Sequence, residues 1–339
     1  MIFIQPRSSP PIFPSCRTVE FFMTQISFQL KPVPPFRLDL TAWVLRRRAD
    51  NLWDRWDGQA YRRILVLQDQ PIEVTVTQTG PPARPKLDIT VTGSRLASET
   101  ESFLTATINR MLGLQIDLGK FYRFARKDPL LKGLTQKFQG MKPPRFPTVF
   151  EALVNGITCQ KFTLTAGIRM LNRVVTTWGV GLSGSAISGH AFPRPVDLAG
   201  LKMETLRKLG FSRQKAGALI DLARMVTDDR LNLESLESMD DEGALEKLQQ
   251  LRGVGRWTAE YALLRGLGRW HIFPGDDVGV RNRLQRWLNL RKALDYEGVR
   301  RILRRWQPYG GLIYFHLLLT GLDEGGYLNP LCRPTPSFV

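Results

Sequence analysis

Two periodicities divide the chain. Ile64 to Leu67, Ile72-Glu73-Val74-Thr75-Val76-Thr77 and Leu87-Asp88-Ile89-Thr90-Val91-Thr92 alternate β-branched and polar residues, with Gly80-Pro81-Pro82 between the last two runs. Alternation rich in Val, Ile and Thr and broken by turn formers predicts a small antiparallel sheet. Beyond Gly93 apolar positions recur at helical spacing, beginning with Phe103, Ile108, Met111 and Leu112, and no later segment reads as a strand. Helices are predicted over Thr148 to Cys159, Thr163 to Trp178 and Arg213 to Val226, each with an apolar face expected to lie in the core. Lys142-Pro143-Pro144-Arg145-Phe146-Pro147 falls between the two regimes. The expected class is α+β: a mixed sheet-and-helix domain over residues 23–141, an all-helical domain over 142–325 and a tail over 326–339. Pro6, Pro10, Pro11 and Pro14 interrupt the short apolar runs of residues 1–22, which are expected to be a disordered extension rather than a signal-peptide core.

The most informative stretch starts at Asp240. A helix through Leu245 and Leu248 leads into Leu251-Arg252-Gly253-Val254-Gly255-Arg256-Trp257-Thr258-Ala259, and a second helix continues through Tyr261, Leu263 and Leu264. Gly253 and Gly255 permit the positive φ of a tight hairpin and the approach of backbone N–H groups to an anion, while Val254 can plug the space between the helices. Such a hairpin suits a DNA phosphate and reads no bases. On the glycines alone, an ordinary helix–helix turn stands as the alternative. Further on, Phe273-Pro274-Gly275-Asp276-Asp277-Val278 sets paired carboxylates where a helix carrying Val280, Leu284 and Trp287 begins. One of such a pair is usually an N-cap. Beside a phosphate-binding hairpin, a carboxylate at a helix N-terminus can also stabilise positive charge developing on a substrate.

Charge and composition narrow the chemistry. The 339 residues hold 48 Lys plus Arg against 31 Asp plus Glu, a formal charge of +17. Nine basic residues lie from Arg281 to Arg305 against only Asp295 and Glu297, directly after the paired aspartates, an excess that attracts phosphate. The three cysteines, Cys16, Cys159 and Cys332, are too scattered for a disulfide framework or an iron–sulfur site, and His190, His271 and His316 lack ligand spacing. Catalysis is therefore expected to rest on carboxylates, hydroxyls or lysines, with no cofactor required. No run reaches the roughly 18 apolar residues of a membrane span. The expected setting is intracellular and cytoplasmic with reduced thiols, nucleoid-associated in a bacterium, with a monomer acting on double-stranded DNA.

The hairpin, the tryptophan two residues after its last glycine and Phe273-Pro274-Gly275-Asp276-Asp277 resemble the DNA-3-methyladenine glycosylase II family of the helix-hairpin-helix DNA glycosylase superfamily. The likeness extends to Phe150-Glu151-Ala152-Leu153-Val154-Asn155-Gly156-Ile157 with Gln160, to Leu206-Arg207-Lys208-Leu209-Gly210-Phe211 with Lys215-Ala216, to Arg305-Trp306-Gln307-Pro308-Tyr309 with His316, and to Pro34-Pro35-Phe36, covering about Ile26 to Gly325. It implies that the helical part is a helix-hairpin-helix glycosylase domain in which Asp277 is catalytic and Asp276 a cap or local support. Trp257 stands where strand-cutting members carry a lysine nucleophile, which implies a monofunctional enzyme that leaves an abasic site. Trp257, Tyr261 and Leu318 are implied to line the base pocket, whose aromatic faces favour a cationic base. Trp43 is expected in the core.

Gly253, Val254, Gly255, Arg256 and Thr258 of the hairpin, with Gln160 and Lys161 of the preceding turn, are the implied DNA contacts. Lys161 falls at the position that fills the gap left by the extruded nucleotide, with Gln160 and Phe162 as alternatives. The carbonyls of Gln249, Leu251 and Val254 are implied donors to a structural monovalent cation. The implied reaction is hydrolysis of the N-glycosidic bond of N-alkylated purines, of the 3-methyladenine and 7-methylguanine type, flipped out of duplex DNA for base excision repair. One aspartate suffices where the leaving base is already cationic. A glycosylase for neutral damaged bases such as hypoxanthine, and a non-catalytic helix-hairpin-helix DNA-binding protein, are the alternatives.

Overall fold

The computed structural model describes residues 23–182 and 189–328. The extension expected at 1–22, Cys16, Cys332 and most of the tail lie outside them. Five antiparallel strands form one sheet: β1 (Thr24–Leu30), β2 (Arg55–Trp56), β3 (Ala60–Leu67), β4 (Gln70–Gln78) and β5 (Leu87–Gly93), in the order β1-β5-β4-β3-β2. The alternation read from sequence is the alternation of burial: Ile72, Val74 and Val76 of β4 and Leu87, Ile89 and Val91 of β5 point into the core, with threonines and carboxylates between them. Strand β1 was not foreseen, because Thr24-Gln25-Ile26-Ser27-Phe28-Gln29-Leu30 is a half-exposed edge whose apolar residues are only partly buried.

Helix α1 (Leu38–Arg46) precedes β2, and α2 (Thr100–Leu112), α3 (Gly119–Ala125) and α4 (Pro129–Lys137) follow the sheet. The remaining chain is helical: α5 (Val149–Cys159), α6 (Leu164–Trp178), α7 (Pro195–Ala199), α8 (Met203–Lys208), α9 (Arg213–Thr227), α10 (Asp241–Gln249), α11 (Arg256–Arg265), α12 (Val278–Trp287), α13 (Tyr296–Leu303) and α14 (Gly310–Glu324). Thr148, Thr163 and Ser212 cap α5, α6 and α9 through their side chains, which explains why those helices start where the sequence indicated. One departure from an all-helical second half is a minimal ladder of β6 (Gly181–Leu182) with β7 (Gly189–His190), too short to leave a periodic signature.

The two halves share their apolar cores. One cluster runs from the buried face of the sheet through α2 into α5, α6, α9 and α11, and another joins Leu40, Trp43 and Val44 of α1 and Leu131 and Leu134 of α4 to α12, α13 and α14. Segment 142–147, expected between domains, is largely buried: Lys142 and Phe146 are fully inaccessible, and Lys142 Nζ donates to the Ile116 carbonyl. Trp43 is in the core, as anticipated.

A buried charge cluster lies at the seam. Arg63 on β3, 1% exposed, donates to Asp54 Oδ1 at 2.7 Å and to Glu151 Oε2 on α5 at 2.5 Å, and Tyr61 donates to the same Asp54 oxygen at 2.6 Å. Burial raises the Glu151 carboxyl against the opposing Arg63 charge, and Glu151 and Asp54 hold the Arg63 guanidinium well above its ordinary value despite its burial. Removing one member leaves the others uncompensated. Arg63→Met is expected to lower unfolding free energy by roughly 3–5 kcal/mol in urea titrations; a loss below 1 kcal/mol would show that the cluster does not hold the halves together.

Candidate active site

The loop before α12 is fixed from two sides. Asp277 is the N-cap: its Oδ1 accepts the Val280 N–H at 3.0 Å and its Oδ2 accepts the Tyr314 hydroxyl of α14 at 2.9 Å. Burial, then the Asp277 charge, pushes the Tyr314 phenol well above its ordinary range, so it remains a donor. Asp276 does not cap. It is taken up by Arg256, whose Nε and Nη2 both lie 2.8 Å from its Oδ2, while that guanidinium covers the Tyr296 ring at 3.6 Å. Below them Glu260 of α11, 7% exposed, accepts from Tyr296 Oη at 2.5 Å and from the Gly275 N–H at 3.2 Å. Burial raises its carboxyl. Glu260 thus ties the Asp277 loop to the second hairpin helix.

The hairpin itself joins α10 to α11. Gly253 has φ +78 and a Cβ there would stand 2.6 Å from that of Ala218, so both conformation and space require glycine. Gly255 differs from the expectation: its φ is −91, and a Cβ would meet nothing within 4 Å. What glycine preserves there is free access to the start of α11. Val254 is buried between the helices, as expected of a plug, and offers only its backbone to a ligand. Thr258 is likewise buried, so its side chain is not at the surface as the DNA-contact expectation required; its Oγ1 accepts from Gln160 Nε2 at 2.7 Å.

That same Gln160 nitrogen donates to the Gly253 carbonyl at 2.7 Å, which binds the end of α5 to the hairpin. Gln160 is therefore committed within the protein, whereas Lys161 stands exposed at the apex in left-handed backbone, φ 55. Phe162 is 41% exposed, with the Lys215 ammonium 3.6 Å from its ring centroid. Lys215 in turn donates to the carbonyls of Thr158 and Gln160 at 2.8 and 2.7 Å, bracing the turn from beneath.

Trp257 and Tyr261 share one face of α11, their rings 5.5 Å apart and inclined by 31°. The Tyr261 hydroxyl accepts from Arg47 Nη1 at 2.9 Å, and burial raises its phenol, with Asp277 among the charges acting on it. Leu318 is 7% exposed, one turn beyond Tyr314 on α14 and inside the apolar cluster of that helix. Tyr314, Arg47 and Glu260 were not singled out from sequence. A signal existed for Glu260, a lone charge within Ala259-Glu260-Tyr261-Ala262-Leu263; Arg47 was hidden among three arginines.

The basic run is partly answered within the chain. Arg281 approaches Asp276 at 4.0 Å, Arg286 pairs with Glu324 at 3.7 Å and Arg300 with Glu297 at 3.6 Å, while Arg305 lies on the Trp306 ring. Arg291, Lys292, Arg301 and Arg304 have no ion pair among the described residues. No helix among the described residues is long and apolar enough to cross a membrane.

A glycine hairpin opening onto one helix, beside a helix capped by a hydrogen-bonded aspartate, is the architecture of a helix-hairpin-helix DNA-repair fold. Residues 154–308 match the family described as HhH-GPD superfamily base excision DNA repair protein. The chain is 29% identical over 210 residues to the DNA-3-methyladenine glycosylase of Bacillus subtilis, a match covering 62% of this chain and 69% of that one. It is 30% identical over 181 residues to DNA-3-methyladenine glycosylase 2 of Escherichia coli, covering 53% of this chain and 61% of the relative. The solved 3-methyladenine DNA glycosylase of Archaeoglobus fulgidus superposes with a TM-score of 0.74 at 26% identity, over 88% of this chain and 98% of that one.

Gly255→Ala is expected to change stability by about 1 kcal/mol or less, the range of an N-cap substitution, yet to weaken binding of a DNA duplex about tenfold, because the added methyl would project where the hairpin backbone is expected to meet a phosphate. Thermal melts and fluorescence anisotropy measure the two effects. Unchanged anisotropy would remove the hairpin from the DNA contact.

Proposed function

We propose that the protein is a monofunctional DNA glycosylase that hydrolyses the N-glycosidic bond of N-alkylated purines flipped out of duplex DNA, leaving an abasic site. The observation that carries this reading is Asp277, held by two donors at the mouth of α12. The names of the relatives support the substrate class. Hairpin backbone groups at Gly253 to Gly255 would engage a phosphate, and the unpaired arginines of the basic run would add salt-dependent attraction. Lys161, exposed at the apex beside the tethered Gln160, would occupy the space vacated by the base.

With the base seated against Trp257 and Tyr261, the C1′–N bond breaks as positive charge develops on the sugar. The Asp277 carboxylate, already oriented, counters that charge without reorganising. Water then adds to C1′, its oxygen forming the new bond and its proton passing to solvent. A cationic base needs no proton to leave, which fits a site with one such carboxylate. The carbonyls of Gln249, Leu251 and Val254 are of the oxygen-donor type that suits a monovalent cation, and such an ion would stiffen the hairpin; no step passes through it.

Asp277→Asn is expected to bind duplex DNA and to release 7-methylguanine at least 100-fold more slowly than the wild type under single turnover. Full activity in that variant would remove Asp277 from the chemistry. A borohydride trapping assay is expected to yield no covalent protein–DNA adduct, since Trp257 offers no amine and Lys215 is bound to two carbonyls. A trapped adduct abolished by Lys215→Met would instead make the enzyme a lyase.

A further inference from the structure

Positive charge also collects where the reaction above does not reach. Residues 117–137 hold six basic side chains against Asp117 and Asp128, and among the described residues only Lys137 of the six has an ion pair, with Asp323. Both aspartates are committed locally: Asp117 Oδ1 accepts the Gly119 N–H at 2.7 Å and Asp128 Oδ1 accepts the Leu130 N–H at 2.9 Å. Arg123, Arg126 and Lys127 stand exposed at the turn from α3 to α4. That turn meets the end of the basic run, 178 residues on, because Trp306 Nε1 donates to Asp128 Oδ2 at 2.7 Å. Arg305 lies over the Trp306 ring at 3.9 Å, and it and Arg304 are exposed there with no ion pair among the described residues.

This surface faces away from Asp277. On α14, Tyr314 reaches Asp277, and at 3.6 residues per turn His316 points about 200° round the helix from it. His316 lies against Phe121 of α3 and Phe138 at the end of α4, with ring centroids 5.6 and 6.3 Å apart. Helices α3 and α4 therefore pack on the side of α14 opposite Asp277. At its other end the surface rests on Trp306, whose ring is 5.1 Å from that of Trp287, about 15 Å along α12 from Asp277. A duplex seated at the hairpin and Asp277 is separated from Arg126 by the thickness of α14, roughly 10 Å.

Like charges gathered without partners repel one another, and a polyanion relieves them. Guanidinium groups supply most of this charge, and they pair bidentately with phosphate oxygens. The one large apolar side chain exposed among the described residues of α3 and α4 is Leu130, which offers little for a lipid or a protein core to cover. We propose that the α3–α4 turn, with Arg304 and Arg305, is a second DNA surface that takes the phosphate backbone of a duplex segment other than the one held at the hairpin. This grip operates on undamaged DNA and needs no base release. Two grips that face apart bridge two segments, and the protein passes from one to the other without returning to bulk solvent.

Native mass spectrometry of the full chain with a lesion-free duplex of about 14 base pairs, too stiff to bend round α14, counts duplexes per chain. The wild type is expected to carry two. The triple variant Arg123→Gln, Arg126→Gln, Lys127→Gln is expected to hold the first duplex with unchanged affinity and the second at least tenfold more weakly, with an unchanged thermal melt. Arg126→Gln alone is expected to lower the slope of log affinity against log salt for the second duplex by about 0.9. A wild type that carries one duplex overturns the proposal, as does a triple variant that still carries two. Equal loss of both duplexes in the triple variant also overturns it, because the surface would then be part of the first. Binding of phosphatidylserine vesicles by the wild type with no second duplex would assign the surface to a membrane instead. Two duplexes on the wild type, one on the triple variant and no release of 7-methylguanine by either would bear out the second surface while overturning the glycosylase reading.

Discussion

A guanidinium with no path to water must find its counter-charge inside the protein, and Arg63 finds it on two different parts of the chain. One counter-charge is Asp54, before β2; the other is Glu151, in the first turn of α5. Helix α5 is thereby fastened to the sheet at its start, and its register fixes everything downstream. Asn155, one turn on, receives Arg47 from α1. Gly156 lies against Thr258 of α11, and Gln160, a further turn on, reaches the Gly253 carbonyl. Two stripes of one helix, spaced by four residues, hold sheet, α1 and hairpin in a single arrangement.

The paired aspartates show how neighbouring carboxylates can be given separate duties. Asp276 is paired with Arg256, so its charge is met at short range. Asp277 meets only neutral donors, a backbone N–H and a phenol. Both orient it, and neither cancels its charge. An ionised carboxylate can accept about four hydrogen bonds, so two donors fix its direction while leaving capacity for a substrate. The capping role that makes an aspartate ordinary at a helix start is here part of what immobilises this carboxylate.

Much of this was legible in the sequence because it is local. Strand alternation, side-chain caps at Thr148, Thr163 and Ser212, the hairpin turn and an aspartate at a helix start all depend on residues within a few positions of one another. The expectation for Asp277 and for the Trp257–Tyr261 face came from the family resemblance, and the match of residues 154–308 to the HhH-GPD superfamily agrees with that resemblance. Contacts across the sequence were not legible. Arg47 to Tyr261 spans 214 residues and Tyr314 to Asp277 crosses from one helix to another, with nothing in the local text to mark either. The buried segment 142–147 reads as a linker because proline-rich composition resembles exposed turns; what overrides composition is that Phe146 completes an apolar core drawn from both halves.

The contact between Gly156 and Thr258 separates what this scaffold can vary from what it must keep. A methyl group at position 156 would lie 2.8 Å from Thr258 Cγ2, so α5 and α11 approach as closely as they do only while that position has no side chain. The distance between the Lys161 apex and the hairpin is set by that approach. Tyr261 shares that gauge, its Cδ1 standing 3.6 Å from the same methyl position, whereas Leu318, on α14, is not among the atoms it would meet. Sequence drift at Leu318 can therefore proceed while the approach of α5 to α11 keeps its dimensions, so that inheritance acts on the two as separable traits.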